Sequence, residues 1–240
     1  DATLLRVRDA IGPELRLPAL GEGALQGSRF PLRHVILVDA QGRLRANSQG
    51  PLAEPIDVSD RTFFRAHLDA PGQDRLVISP PVEGRGSGQT LIAVSRPIIG
   101  PDGGTLGIIA IRLTPAEIAG YFRSIDIPGG LLGLIGPDGV IYARVPEVPG
   151  IVGRTVPPTA RVHLARSPAE GFRAPSAIDG VDRFGAARPV PGLPFIVFVG
   201  LDAEKVLAHV EQERRTLILA GAVLSCMLLL AAIVLVRQDE

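Results

Sequence analysis

Ser95 to Ile118 read SRPIIGPDGGTLGIIAIRLTPAEI, and Ala187 to Lys205 read ARPVPGLPFIVFVGLDAEK. Each stretch carries an Arg-Pro pair, a glycine turn at Gly103-Gly104 or Gly192, an apolar strand (Leu106 to Leu113, Phe195 to Leu201) and an Ala-Glu helix start at Ala116 or Ala203. A second echo precedes each: HVILVDAQGRLRANS over His34 to Ser48, and LLGLIGPDGVIYARV over Leu131 to Val145. Both read as an apolar strand, a turn ending in Gly42 or Gly139, and a return strand of mixed polarity, which is the pattern of a hairpin. Two echoes in the same order imply a duplicated unit. The fold class that follows is α+β: two tandem modules, each an antiparallel sheet with flanking helices.

Helix signals divide the rest of the chain. Thr114-Pro115-Ala116-Glu117 supplies an N-cap, a proline at the first helical position and a capping-box glutamate, so a helix through Tyr121 and Phe122 joins the modules. Asp202 can cap a last helix from Ala203, and no glycine or proline interrupts it before Gly221. The run TLILAGAVLSCMLLLAAIVLV, Thr216 to Val236, has no charge and is long enough to cross a bilayer core, which takes roughly 20 apolar residues. The expected organisation is a long N-terminal helix in a helical segment over 1–27, a first module over 28–114, a linking helix over 115–127, a second module over 128–201, a juxtamembrane helix over 202–215 and a transmembrane helix over 216–236. A continuous rod from the second sheet into the membrane could carry a displacement, whereas the plainer reading is a passive tether. Because the chain starts at Asp1, its only methionine being Met227, a longer parent protein is expected, with an earlier anchor or signal before Asp1 and further domains after Glu240.

Composition narrows the chemistry. With 25 basic and 25 acidic residues, formal charge is zero, which argues against a nucleic-acid surface. The sole cysteine, Cys226, lies in the apolar run, so the expected fold has neither disulfide nor thiol ligand. His34, His67, His163 and His209 lack the close spacing of metal ligands, and no metal or other cofactor is expected. Gly84-Arg85-Gly86-Ser87-Gly88 is neither a nucleophile elbow nor a dinucleotide fingerprint, and reads as a hairpin loop flanking a pocket. No carboxylate spacing marks an acid/base pair, so no catalytic residue is assigned to this chain.

Asp57 to His67, DVSDRTFFRAH, resembles the D-R-P-Y-F-R-A helix start of double Cache domains, the PAS-like extracytoplasmic sensors of bacterial histidine kinases, diguanylate cyclases and chemoreceptors. The Ser95 to Ile111 stretch is similar to that family's R-P-x-D-G strand pair, and Gly130 to Ala143 to the opening of its membrane-proximal module. The resemblance covers about residues 25 to 215 and speaks for a sensor more than for any ligand or output. It implies a small-molecule ligand in the membrane-distal module, a homodimer, and residues 1–215 on the periplasmic side of the inner membrane. A histidine kinase is the leading parent, with a diguanylate cyclase or chemoreceptor next; a membrane-tethered periplasmic hydrolase is the reading from a different class.

Carried over by position, the resemblance assigns ligand binding to Arg61, Phe63 and Phe64, with Ser79, Ser95 and Arg96 as strand partners. Thr62 replaces the family's proline and Phe63 its tyrosine, and the chain has no tryptophan for the amino-acid-sensing signature, so free amino acids are less expected than other carboxylates or anions. Independently, an arginine at a helix start offers a planar fork and a favourable dipole to a carboxylate. Arg61 could equally pair with Asp57 or Asp60 and brace the helix. The repetition of Arg96-Pro97 as Arg188-Pro189 favours a structural role for both arginines. Phe63 and Phe64 point about 100° apart on a helix, so only one need face a ligand.

Overall fold

In the computed structural model the described residues are 2–11, 34–52, 54–85, 87–164 and 170–238. The helix α1 spans Ala2–Ile11; the remainder of the expected 1–27 segment lies outside the described residues. The first sheet contains β1 (Val35–Asp39), β2 (Leu44–Asn47), β3 (Val77–Ile78), β4 (Val82–Glu83), β5 (Thr90–Ile99) and β6 (Thr105–Leu113), with α2 (Thr62–Leu68) between β2 and β3. After α3 (Pro115–Arg123) come β7 (Gly130–Ile135), β8 (Ile141–Val145), α4 (Pro158–Leu164), β9 (Phe172–Pro175), β10 (Asp182–Pro189) and β11 (Ile196–Asp202), and α5 (Ala203–Gln238) ends the chain.

The two sheets have one topology. The first runs β2-β1-β6-β5-β3, with β4 paired to β5, and the second runs β8-β7-β11-β10-β9. The duplication reaches single hydrogen bonds. In the first half Gly42 (φ 84°) ends the hairpin turn, Val58 N–H donates to its carbonyl at 2.8 Å, and Leu44 N–H donates to the Ile56 carbonyl at 2.9 Å. In the second half Gly139 (φ 79°) receives Val156 N–H at 2.8 Å, and Ile141 N–H donates to the Arg154 carbonyl at 2.9 Å. Isolated bridges Arg43 to Asp57 and Val140 to Thr155 repeat as well. Each turn needs positive φ, which glycine adopts without the Cβ clash of other residues. At Gly42 space is also short, since a Cβ would stand 2.5 Å from the Ser59 Cβ and 2.8 Å from its backbone nitrogen.

Side-chain alternation sorts the first sheet into two faces. Ile36, Val38, Ala93, Ile108 and Ala110 pack with Phe63 and Phe64 of α2, while Val35, Leu37, Ile98, Ile109 and Ile111 pack with Leu4 and Ile11 of α1. The chain falls into two compact units, residues 1–126 with 132–156 and 189–197, and residues 127–131 with 157–188 and 198–240.

The expected caps form. Thr114 accepts from Glu117 N–H while the Glu117 carboxylate takes Thr114 N–H at 2.7 Å, closing the capping box. Asp202 Oδ1 accepts from Glu204 N–H at 3.0 Å at the start of α5. That helix is unbroken over 36 residues, and it contains no proline. For the transmembrane helix expected over Thr216 to Val236, among the described residues no helix is long and apolar enough to cross a membrane.

Candidate functional site

The start of α2 and the tip of the β4–β5 hairpin are laced together by two arginines pointing in opposite directions. Arg61, the N-cap residue, has extended backbone and no side-chain capping bond; its Nη2 donates instead to the Glu83 carbonyl at 2.8 Å. Arg85 reaches back from the hairpin, donating from Nη2 to Asp60 Oδ2 at 2.6 Å and from Nη1 to the Asp57 carbonyl. Asp57 Oδ1 accepts Ser59 N–H at 2.8 Å. These bonds hold both carboxyls below the usual range, Asp57 through the Ser59 hydrogen bonds and Asp60 through the Arg85 guanidinium. Asp60 thus belongs to Arg85 and Arg61 is left to a carbonyl, which is weaker compensation for its charge than a carboxylate.

Beneath this lacing lies a cavity of ≈ 60 Å³. Its walls are mainly apolar, from Ile36, Leu44, Ile56, Val58, Phe63, Val82, Leu91 and Ala93, and its polar lining comes from Arg61, Thr62, Ser79, Glu83, Arg85 and Arg112. A wider outer cleft of ≈ 480 Å³, lined by Arg61, Glu83, Gly84, Arg85 and Gly88, adjoins it through shared residues. Arg112 is half-buried on β6, and burial pushes its guanidinium pKa down. Its Nε is buried without a hydrogen-bond partner, and Nη2 stands 3.5 Å from Asn47 Oδ1.

Of the six residues expected at a site, Arg61, Phe63 and Ser79 line this cavity. The Ser79 hydroxyl is already committed, accepting Ala93 N–H at 2.8 Å and donating to the Pro80 carbonyl at 3.0 Å. Phe64 is 1 % exposed in the core beside the sheet. Ser95 faces α2 and meets His67 Nε2 at 3.0 Å. Arg96 points to the α1 side, where the Asp74 carboxylate bridges it and Arg8, each at 2.6 Å. Ser95 and Arg96 cannot share a face, because neighbours on a strand alternate. Sequence reasoning missed Arg112 and gave Arg85 no role beyond its loop. A signal for Arg112 existed: it continues the row Ile108, Ala110 at a spacing of two. The expected loop flanks the cavity through Gly84 and Arg85, while Gly86 lies outside the described residues. Among the described residues no group of three His, Cys, Asp or Glu side chains gathers as a metal set.

Tandem PAS-like sheets of one strand order, with a cavity between α2 and the first sheet, define the class: the fold is that of Cache-type sensor domains. No family model matches the chain, and no curated protein is similar to it. Among solved structures, the chain is similar to the extracellular domain of rpHK1S-Z16, a protein assigned as a histidine kinase, at 26% identity and TM-score 0.63, covering 85% of this chain and 78% of that one. It has the fold of the ligand-binding domain of the Pseudomonas fluorescens chemoreceptor CtaA, solved with L-isoleucine, at 16% identity and TM-score 0.62, covering 87% and 85%. The same holds for the Pseudomonas aeruginosa PAO1 amino-acid chemoreceptor PctB with L-Arg, at 18% identity and TM-score 0.62, covering 85% and 86%.

Proposed function

We propose that this chain is the extracytoplasmic ligand-sensing region of a membrane signalling receptor, and that its first module, membrane-distal in the double Cache arrangement, binds a small carboxylate in the cavity beneath Arg61 and Arg85. The observation that carries the reading is the cavity itself: an apolar pocket with Arg61, Arg85 and Arg112 among its lining residues, at a helix start, in a fold shared with extracellular ligand-binding domains. A guanidinium satisfied by one carbonyl can exchange that bond for a charge-assisted pair with a carboxylate. Binding would then compete with the Arg61 to Glu83 bond and shift the hairpin between two positions, which is the elementary act of a sensor.

A histidine kinase is the favoured parent, since the histidine-kinase domain shares 26% identity against 16% and 18% for the chemoreceptor domains. Membrane attachment through α5 fits its surface: the consecutive residues Leu217, Ile218 and Leu219 are 73%, 61% and 67% exposed, so apolar side chains face all directions around the helix. Water does not tolerate such a surface well, and a bilayer does. The polar modules would then face the periplasm, as a homodimer. In this reading the modules are residues 28–114 and 128–201, and Arg61, Phe63 and Ser79 form the binding set.

The test is a thermal-shift screen of small carboxylates on the full chain in detergent micelles. Stabilisation by a binder is expected to weaken at least tenfold in apparent affinity in Arg61→Ala, the loss of a charged hydrogen bond, and to survive Arg188→Ala in β10. Loss in Arg188→Ala with retention in Arg61→Ala would move the site to the second module.

A further inference from the structure

We infer that Asp74 is a reversible latch holding α1 to the first module, and that the turn carrying it, residues 69–76, passes movement of α2 around the β3 edge of the sheet to α1. The movement would start at the cavity, so the inference rests on that cavity being the ligand site. α2 packs on one face of the first sheet and α1 on the other, and β3 is an edge strand. The turn leaves α2 after Leu68 and enters β3 at Val77, so it wraps that edge. It is fastened to both helices. Arg75 Nη2 donates to the Ala66 carbonyl near the end of α2, while the Asp74 carboxylate takes Arg8 of α1 and Arg96 of β5, each at 2.6 Å. At its bend Gly72 (φ 73°) lies against the turn between β5 and β6, where a Cβ would stand 3.0 Å from the Gly103 carbonyl oxygen.

The latch has a second state at hand. Arg8 also reaches its neighbour Asp9, at 3.3 Å from Nε and 3.2 Å from Nη2, and Asp74 keeps Arg96 when Arg8 leaves. Opening therefore strands no charge: each ion retains a counter-ion, so the free energy lost is that of one partly exposed pair rather than of a buried one. A brace does not require a second partner at each end; a switch does, since its two states must lie close in free energy. Beside the latch, a cleft of ≈ 520 Å³ lined by Arg8, Asp9, Asp74, Gly100 and Pro101 gives the Arg8 side chain room to swing. Leu4 and Ile11, both buried against the sheet, supply the apolar attachment of α1. A helix of ten residues is too short to persist alone in water, so opening the latch lets α1 fray from the sheet and exposes its amides to exchange.

Hydrogen exchange of the α1 amides, read by mass spectrometry on the full chain in detergent micelles without ligand, tests both the latch and the relay. Asp74→Asn should speed exchange over Arg6 to Ile11 about fivefold, the worth of one partly exposed ion pair, and Arg8→Gln, which leaves Asp74 on Arg96, should match it within about twofold. Raising sodium chloride from about 0.05 to about 0.5 M should speed exchange in the wild type and hardly at all in Asp74→Asn, which lacks the pair that salt screens. Amides of β1 and β6 should exchange as in wild type, which reports a folded module. For the relay, Arg85→Ala frees the start of α2 from its Asp60 pairing. Exchange in α1 should then rise roughly threefold, and that rise should vanish in Asp74→Asn or in Arg75→Met, which detaches the turn from α2. Unchanged α1 exchange in Asp74→Asn and Arg8→Gln, or an acceleration shared equally by β1 and β6, overturns the inference. So does an Arg85→Ala effect that is absent or simply multiplies with that of Asp74→Asn. No ligand enters these measurements, so their failure leaves the cavity reading intact, and failure of the carboxylate screen leaves the latch intact.

Discussion

Acidification should destabilise the first module through His67, which is 1 % exposed at the end of α2. The Ser95 hydroxyl donates to the Val77 carbonyl at 3.3 Å, so it accepts from His67 Nε2 at 3.0 Å and leaves Nδ1 buried with no partner. Protonation would place a charged N–H there. Burial first, and then the Arg75 and Arg96 guanidinium groups, lower the imidazole pKa from 6.5 to about 4, against the opposing effects of the Ser95 hydrogen bond and the Asp74 carboxylate. Between those values the unfolded chain binds a proton that the folded chain refuses, so stability is complete above pH 6.5 and is lost as pH falls toward 4. At 1.36 kcal/mol per unit the ceiling is about 3 kcal/mol, and solvent screening reduces it to about 2 kcal/mol. The assay is urea unfolding of wild type and His67→Gln, followed by circular dichroism at half-unit steps from pH 7 to 4. Glutamine can still donate to Ser95 and does not titrate, so subtracting it removes the carboxylates common to both proteins. The stability advantage of wild type should shrink by about 2 kcal/mol over that range. An advantage constant to within about 0.5 kcal/mol, or one that grows on acidification, would refute the reasoning.

Gly42→Ala should destabilise by more than Gly103→Ala, although their φ values are 84° and 80°: nothing lies within 4 Å of a Cβ at Gly103, whereas Ser59 blocks one at Gly42. Thermal melts should show about 1 kcal/mol for Gly103→Ala and at least 2 kcal/mol for Gly42→Ala; equal losses would mean Ser59 moves aside freely. In α5, Val206→Pro removes an interior hydrogen bond and costs roughly 3 kcal/mol locally, while Val206→Ala is mild. If that helix transmits the signal, the proline abolishes output in the full receptor and leaves ligand affinity unchanged; retained output with a verified kink would make α5 a tether.

Much of the fold was legible because it rests on contacts between close neighbours. The turns at Gly42 and Gly139, the Thr114 capping box and the Asp202 cap each involve residues a few positions apart, and each formed where its residue types pointed. Alternation along β5 is also legible in the sequence, and it puts Ser95 and Arg96 on opposite faces. The same rule puts Arg112 on the row of Ile108 and Ala110.

The candidate site was less legible, because its chemistry depends on which partners the arginines find. Asp57, Asp60 and Arg61 are adjacent, and a local ion pair was as reasonable as a ligand fork. Folding the hairpin over the helix start brought Arg85, 25 positions from Asp60, into that competition, and Arg85 took the carboxylate while Arg61 went to a carbonyl 22 positions away. Residue order thus specifies the duplicated sheets, their turns and their caps, since those energies come from the backbone and its near neighbours. Only tertiary closure selects which guanidinium is neutralised and which is left buried without a countercharge, since electrostatic partnership is set by distance in space.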